Sequence, residues 1–210
     1  MRLLVLGASG GTGRQVVTQG LQQGHTITAL VRHPPERLGI THDRLRVITG
    51  SVTDDDQALA DAVADQEAVI SALGAGTSLK SGGLIATSVP RVVAAMETHG
   101  VRRLLFTSAY GVGATRVDVP PVPRVLIRLL LRDIYADKEA GEEQLRRSHL
   151  DWTLVYPVTL SNGPRTGRYR VGVRLTLHGL PRVSRADVAD FLLTQIEYRR
   201  YLRSGVLISS

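Results

Sequence analysis

Residues 1–17, MRLLVLGASGGTGRQVV, join a short apolar run directly to a glycine-rich segment. The apolar run from Leu3 to Leu6 has the composition of a buried strand, and the glycine-rich segment from Gly7 to Gly13 follows it without a break. Small or apolar residues then recur with the spacing of one helical face, at Gly13, Val16, Val17, Gly20 and Leu21. The stretch therefore predicts a strand, a glycine loop and an amphipathic helix.

A glycine loop between a strand and a helix is suited to bind a phosphate group. Side chains are absent from the loop, and the N–H groups at the start of the helix attract anions. Gly7 would allow the tight turn, Gly10 the close approach of the phosphate, and Gly13 the close packing of helix on strand. The spacing is G-x-x-G-x-x-G rather than the G-x-G-x-x-G of the standard fingerprint. A glycine-rich turn without a ligand is the alternative, but the flanking strand and helix favour the phosphate site.

The rest of the chain alternates predicted strands with predicted helices. Further strands are expected at 25–31, 44–49, 67–71, 101–107, 152–156 and 205–209. This alternation predicts an α/β fold, a Rossmann-type doubly wound parallel sheet, formed by residues 1–210 as a single domain with a small C-terminal substrate-side region. Ligands of such sheets bind at the carboxyl ends of the strands. The acceptor-side segments are expected to be 110–135 and 157–184.

Helix boundaries are predicted from capping residues. Ser88 is expected to cap a helix that has Pro90 in its first turn. A short helix is predicted over 124–132 and a charged helix over 137–148. Ser184 and Asp187 form a capping box that would open the last helix.

Composition limits the classes of function. The chain has 210 residues, no cysteine and six scattered histidines, which argues against disulfides, cysteine nucleophiles and a protein metal site. A net charge of +7 permits attraction to polyanions, but two phenylalanines and one tryptophan offer little for base stacking. The first apolar run is too short for a signal peptide, and no stretch has the length of a membrane span. We expect a cytoplasmic monomer or weak homodimer without metal, membrane or nucleic-acid partners.

Arg32 stands at the end of the second predicted strand. Enzymes that prefer NAD usually place an acidic residue there, on the ribose hydroxyls, whereas a guanidinium suits the 2′-phosphate of NADP. A merely solvated arginine is the alternative, because 26 residues of the chain are lysine or arginine. The position of Arg32 predicts NADP rather than NAD as the cofactor.

Seven short segments carry a wider resemblance. They are 7–13 (GASGGTG), 29–32 (ALVR), 72–74 (ALG), 93–100 (VAAMETHG), 107–110 (TSAY), 150–157 (LDWTLVYP) and 183–189 (VSRADVA). Together they resemble the atypical short-chain dehydrogenase/reductases. Within these they are most similar to the NADPH-dependent flavin reductase/biliverdin-IXβ reductase group and its bacterial NAD(P)H-binding relatives.

The resemblance implies a cofactor site at named positions. The diphosphate would be held by Gly7, Ala8, Ser9, Gly10, Gly11, Thr12 and Gly13, and the 2′-phosphate by Arg32. The adenosine would lie against Ser51, Val52, Ala72, Leu73 and Gly74. The nicotinamide would lie beside Thr107 and Ser108 and be bordered by Pro157, Val158 and Thr159.

Two positions depart from the family pattern. Ser51 stands where the family usually has aspartate, which weakens a hydrogen bond to adenine but leaves the backbone contact. Thr159 stands where the biliverdin-reducing members have histidine, which argues against reduction of a tetrapyrrole.

The candidate proton donors are Ser108, Tyr110 and Lys138. The wider superfamily uses a Tyr-x-x-x-Lys pair, in which the lysine lowers the pKa of the tyrosine, and this chain has no such pair. Lys138 is one of two lysines, and Tyr135 precedes it by three positions. The structural alternatives are a strand-end serine bonded to backbone, a loop tyrosine that covers the cofactor, and a lysine retained by chance.

These features predict an NADPH-dependent reductase that transfers hydride to a small planar acceptor such as flavin or quinone. Since the cofactor carries the chemistry and solvent can supply the proton, the missing tyrosine–lysine pair is compatible with this hypothesis. The first alternative is a non-catalytic NADP(H)-binding redox sensor, which the missing pair favours. The second is an epimerase or dehydratase that acts on a nucleotide sugar, against which the missing pair and the short C-terminal region argue.

Overall fold

The computed structural model describes residues 1–33, 38–76, 78, 80–119 and 131–210. The strands in these ranges are β1 (Arg2–Leu6), β2 (Thr26–Val31), β3 (Leu45–Thr49), β4 (Ala68–Ser71), β5 (Arg103–Thr107), β6 (Asp151–Pro157), β7 (Thr159–Ser161), β8 (Arg170–Gly172), β9 (Arg182–Ser184) and β10 (Ser204–Ser209). The α-helices are α1 (Gly11–Gln22), α2 (Asp56–Val63), α3 (Leu84–Thr98), α4 (Arg132–Arg147) and α5 (Arg185–Tyr198), and a 3₁₀-helix spans Gly113–Asp118.

Eight of these strands form one sheet in the order β3-β2-β1-β4-β5-β6-β10-β8. All neighbouring pairs are parallel except β10 and β8, which are antiparallel. Strands β2 and β3 lie on one side of β1, whereas β4, β5 and β6 lie on the other side. The predicted doubly wound parallel sheet is therefore confirmed, with its change of direction between β1 and β4.

Helices cover both faces of the sheet, as the alternation of side chains along β1 shows. Leu3 and Val5 pack into the layer that contains α1 and α5, while Leu4 and Leu6 pack into the layer that contains α2, α3 and α4. A strand buried on both faces needs an unbroken apolar run, and the four residues are at most 1% exposed.

Helix α3 begins at Leu84, four residues before the predicted cap Ser88, and Pro90 lies inside it rather than in its first turn. That prediction was wrong because the N-terminus of α3 is capped by a side chain from α4. The carboxylate of Asp137 accepts hydrogen bonds from the backbone N–H groups of Ile85, at 3.0 Å, and Ala86, at 2.8 Å. The free N–H groups at the start of the helix are satisfied there, so no local capping residue is needed.

The segment from 157 to 184 contains more regular structure than its glycines and prolines indicated. β7 and β9 pair in parallel as a small second sheet, and β8 extends the main sheet. The hydroxyl of Ser184 accepts a hydrogen bond from the N–H of Asp187 at 2.9 Å, so the predicted cap of the last helix is confirmed.

The described parts of the chain contain no helix long and apolar enough to cross a membrane. Within the same residues no group of three or more acidic or histidine side chains could hold a metal ion. The short helix predicted over 124–132 falls mostly on residues 120–130, which lie outside the described residues; Arg132 begins α4.

Candidate functional site

A cleft of about 210 Å³ opens at the carboxyl ends of β1, β2 and β4. This position is the change of direction in the strand order, where ligands of open α/β sheets bind. Its walls comprise Leu6, Gly7, Ser9, Gly10, Leu30, Val31, Arg32, Gly50, Val52, Ala72, Leu73, Gly74, Ala75, Gly76 and Leu84.

The glycine loop forms the floor of this cleft. Gly7 has a φ of +75°, and a Cβ at this position would lie 2.7 Å from the carbonyl oxygen of Ala72, so both conformation and space require glycine. A Cβ on Gly13 would overlap the backbone of Gly7, which brings α1 close against β1. Gly10 caps α1, whose first turn carries no acidic residue. The first-turn N–H groups of α1 therefore point toward a space suited to an anion.

The sequence-predicted adenosine residues fall into two groups. Val52, Ala72, Leu73 and Gly74 line the cleft, together with the exposed side chain of Arg32. Ser51 is not among the lining residues, and its hydroxyl lies 2.9 Å from the hydroxyl of Thr53. Of the predicted diphosphate residues, Ala8 has its side chain fully buried in the core.

Two buried hydroxyls lie at the carboxyl ends of neighbouring strands without a hydrogen-bond partner among the described residues. They belong to Ser71, the last residue of β4, and Thr107, the last residue of β5. Ser71 is 2% exposed and Thr107 is 7% exposed. A buried polar group without a partner is costly. The two hydroxyls lie on opposite faces of the sheet: Ser71 borders a small space with Ser88 and Val89 of α3, whereas Thr107 follows Leu105, which packs in the layer of α1 and α5.

A second cavity of about 400 Å³ lies further along the same edge of the sheet, beyond the ends of β5 and β6. Its walls comprise Ala109, Tyr110, Asp118, Val119, Leu131, Tyr135, Pro157, Val158, Thr159, Leu175, Leu177, Gly179, Leu180 and Pro181. We call it the acceptor cavity, because it is bounded by parts of the segments 110–135 and 157–184. Pro157, Val158 and Thr159, which were predicted to border the nicotinamide, all belong to this wall.

Two tyrosines of the acceptor cavity are linked through backbone carbonyls. The phenol of Tyr135 donates a hydrogen bond of 2.9 Å to the carbonyl of Tyr110, and the phenol of Tyr110 donates one of 2.5 Å to the carbonyl of Asp118. Burial raises the pKa of Tyr135 above its ordinary value. Of the three candidate proton donors, Tyr110 is the one that faces the acceptor cavity.

Ser108 and Lys138 lie at the end of β5 and are not among the residues of the cavity wall. The hydroxyl of Ser108 donates a hydrogen bond of 2.5 Å to Glu142 Oε1. The buried ammonium of Lys138 donates one of 3.3 Å to the carbonyl of Thr107 and lies 6.0 Å from the centre of the Phe106 ring. Burial lowers the pKa of Lys138 to about 8. The catalytic roles assigned to these residues stay predictions.

Glu142 is the residue of this region that the sequence did not single out. Its side chain is fully buried and accepts hydrogen bonds from the phenol of Tyr156 and the guanidinium of Arg146, both at 2.8 Å, in addition to Ser108. Burial, and then the adjacent carboxylate, raise the pKa of Tyr156. The spacing of Lys138, Glu142 and Arg146, four residues apart in a predicted helix, is the signal that could have placed them on one face.

These residues fit a nicotinamide dinucleotide. The glycine loop and first turn of α1 would hold the diphosphate, and Arg32 would meet the adenosine end. When bound, such a cofactor supplies or accepts a hydride.

Comparison with known proteins agrees with this fit. Residues 7–199 match the model of a family described as NAD(P)H-binding. The photosystem II assembly factor Ycf39 of Synechocystis is 26% identical over 178 residues, which are 82% of this chain. This chain spans about half of that relative, because the match covers 49% of its length.

Solved structures show the same fold over nearly the whole chain. A short-chain dehydrogenase/reductase from Veillonella parvula in complex with NADP is 22% identical, with a TM-score of 0.81, and the match covers 100% of this chain and 94% of that one. ChuY, an anaerobilin reductase from Escherichia coli O157:H7, is 21% identical, also with a TM-score of 0.81, and the match covers 99% and 96% of the two chains. Since the family model spans nearly all of the chain, this protein belongs to the NAD(P)H-binding family, as its sequence motifs predicted.

Proposed function

We propose that this protein is an NADPH-dependent reductase that transfers hydride to a small planar acceptor such as a flavin or quinone. The observation that carries the proposal is the acceptor cavity of about 400 Å³, which follows the cofactor cleft along the carboxyl edge of the sheet. A volume of this size is in the range of small-molecule sites. The order of the two cavities would let a cofactor in the first present its nicotinamide to an acceptor in the second.

The walls of the acceptor cavity favour a flat and largely apolar molecule. Leu175, Leu177 and Leu180 supply apolar surface from the segment that contains β8, and Val119 and Val158 add to it. Such walls exclude water, so the hydride passes to the acceptor and does not react with a proton of the solvent.

The charge of the walls points the same way. Among the lining residues that the structure describes, Asp118 is the one charged side chain. Asp118 is exposed, and none of these lining residues carries a positive charge that could pair with a carboxylate of a ligand. We therefore expect an uncharged ring system such as a quinone to be preferred over a tetrapyrrole with carboxylates. Thr159, which replaces the histidine of biliverdin-reducing relatives, supports the same preference.

Proton supply is the second requirement of the reaction. Tyr110 lines the acceptor cavity, with its phenol hydrogen-bonded to the carbonyl of Asp118. Ser108 and Lys138 are not among the lining residues and hold the end of β5 against α4. We therefore assign Tyr110 or solvent as the direct proton source and Lys138 as a positioning residue. A bound cofactor would supply a hydride, which carries two electrons, and would be oxidised; Tyr110 or solvent would supply the one further proton that completes the reduced acceptor.

The proposal is tested by measuring NADPH oxidation by purified protein across a panel of quinones, flavins and carbonyl compounds. We expect turnover above background with at least one uncharged quinone. A Leu177→Trp variant, which narrows the acceptor cavity, should raise KM for the acceptor several-fold and leave the Kd for NADPH unchanged. Equal affinity for NADP and NADPH without turnover on any acceptor would instead support the redox-sensor hypothesis.

The preference for NADPH rests on Arg32. This side chain is exposed at the wall of the cleft, where a guanidinium is suited to a 2′-phosphate. We expect Arg32→Ala to weaken NADPH binding about tenfold or more, the loss typical of a charge-assisted hydrogen-bonded pair, and to leave NADH binding unchanged. Calorimetric titration of both nucleotides measures this, and a wild type that binds NADH as tightly as NADPH would contradict the assignment.

A further inference from the structure

Arg185, the first residue of α5, packs against Gly11, the first residue of α1. A Cβ on Gly11 would lie 2.7 Å from Cδ and 2.8 Å from Nε of Arg185, so the arginine occupies the space that a side chain at position 11 would take. Its Nη1 donates a hydrogen bond of 2.7 Å to Oδ1 of Asn162, just after β7. The guanidinium is thereby held beside the glycine loop.

This arrangement places two positive charges together. The N-terminus of a helix carries a partial positive charge, and a cation at that end is destabilising. The first turn of α1 has no acidic residue, and within the described residues Arg185 has no carboxylate within 4 Å; its neutral partner is Asn162. Positive charge gathered at one point without a counter-charge is stabilised when an anion binds there.

We propose that Arg185 binds the diphosphate of NAD(P)H together with the first-turn amides of α1. Gly11 lacks a side chain because the arginine from α5 fills that space, and Asn162 positions the guanidinium. The diphosphate is then held from two helices that are far apart in sequence, one from each end of the chain. This inference rests on the cofactor site of the family and is independent of whether the protein reduces a quinone.

The diphosphate is common to NADPH and NADH, whereas the 2′-phosphate is not, so the roles of Arg185 and Arg32 are separable. We expect Arg185→Ala to weaken binding of both nucleotides by about tenfold to a hundredfold, the range of a charge-assisted contact. Binding of 2′-AMP, which has no diphosphate, should be unchanged. As the charge-matched control, Arg102→Ala removes an exposed arginine at the opposite edge of the sheet and should leave all three affinities unaltered.

A second variant displaces the guanidinium without removing it. Gly11 begins a helix at an ordinary φ, so Gly11→Ala is compatible with the fold and improves helix propensity. Its methyl group must push away the flexible side chain of Arg185. We expect Gly11→Ala to weaken the binding of NADPH and NADH as Arg185→Ala does. The double variant should lose no more affinity than either single variant.

Three calorimetric results would overturn the proposal. The first is an Arg185→Ala variant with unchanged affinity for NADPH and NADH. The second is an equal loss of affinity for 2′-AMP in that variant, and the third is a further loss of dinucleotide affinity in the double variant. The melting temperature of each variant, measured without nucleotide, shows that the fold is retained. Because these titrations involve no acceptor, a failure of the reductase assay would leave their interpretation intact.

Discussion

Replacing Glu142 by alanine is expected to lower the free energy of unfolding by about 3 to 5 kcal/mol. The carboxylate of Glu142 is fully buried and accepts hydrogen bonds from Ser108, Tyr156 and Arg146. Without it, the hydroxyls of Ser108 and Tyr156 remain buried with no acceptor in place, which costs more than the loss of the hydrogen bonds alone. Arg146 is 37% exposed and can turn to solvent, so the hydroxyls account for most of the effect.

Urea denaturation measures this prediction directly. The neighbouring Glu143 is the matched control, because its ion pair with Arg147 is 60% and 70% exposed at the two side chains. Glu143→Ala should change stability by less than about 0.5 kcal/mol. Glu142→Gln keeps an acceptor oxygen, so its loss of unfolding free energy should lie between those of Glu142→Ala and Glu143→Ala. If Glu142→Ala and Glu143→Ala unfold at the same urea concentration, the buried network contributes nothing to stability.

The predictions that held depend on residues close together in sequence. The strand β1 and the helix α1 could be predicted because an apolar run, a glycine loop and a helical repeat lie within residues 1–21. The cap of α5 was equally local, since Ser184 and Asp187 are three residues apart. Local patterns of this kind act through backbone conformation, so they need no knowledge of the tertiary structure.

The features that could not be predicted join distant parts of the chain. Asp137 caps α3 across 51 and 52 positions, and Glu142 reaches Ser108 across 34. No spacing rule connects residues so far apart. The same holds for Arg185 over Gly11, which depends on the packing of the last helix beside the first.

Arg103 is a residue whose burial cannot be predicted from its type. An arginine at the start of a strand would be expected at the surface, yet it is 2% exposed. Its guanidinium donates hydrogen bonds to the carbonyls of Asp151 and Gln195 and to the hydroxyl of Thr153. Burial lowers the pKa of Arg103 to about 10. Its acceptors come from β6 and α5, so only the folded arrangement explains how the charge is accommodated.

Lys138→Met is expected to stabilise the protein at pH 7 by about 1 to 3 kcal/mol. Burial lowers the pKa of Lys138 from 10.5 to about 8, although the charges of Glu142 and Asp137 act in the opposite direction. At pH 7 the ammonium is charged in both states, and its charged form is disfavoured in the folded protein. A methionine of similar length removes that charge and keeps the packing against Phe106.

The pH dependence of this gain has a defined sign. Between about pH 8 and 10.5 the unfolded chain binds more protons at Lys138 than the folded protein, so the stability of the wild type rises with pH in this window. The advantage of Lys138→Met should therefore be largest below pH 8 and vanish near pH 10.5. Lys80→Met, at an exposed position, is the control and should show no such trend.

The reductase turnover of Lys138→Met separates the effect of Lys138 on stability from its effect on the reaction. If the lysine positions the end of β5 for the reaction, Lys138→Met should be more stable and yet reduce acceptors more slowly, since functional groups are often retained at a cost in stability. A Lys138→Met variant with the same stability as the wild type at every pH would contradict the predicted cost of burying the ammonium. Increased stability together with full turnover would contradict the positioning role, because the hydrogen bond from its ammonium to the carbonyl of Thr107 would then be dispensable.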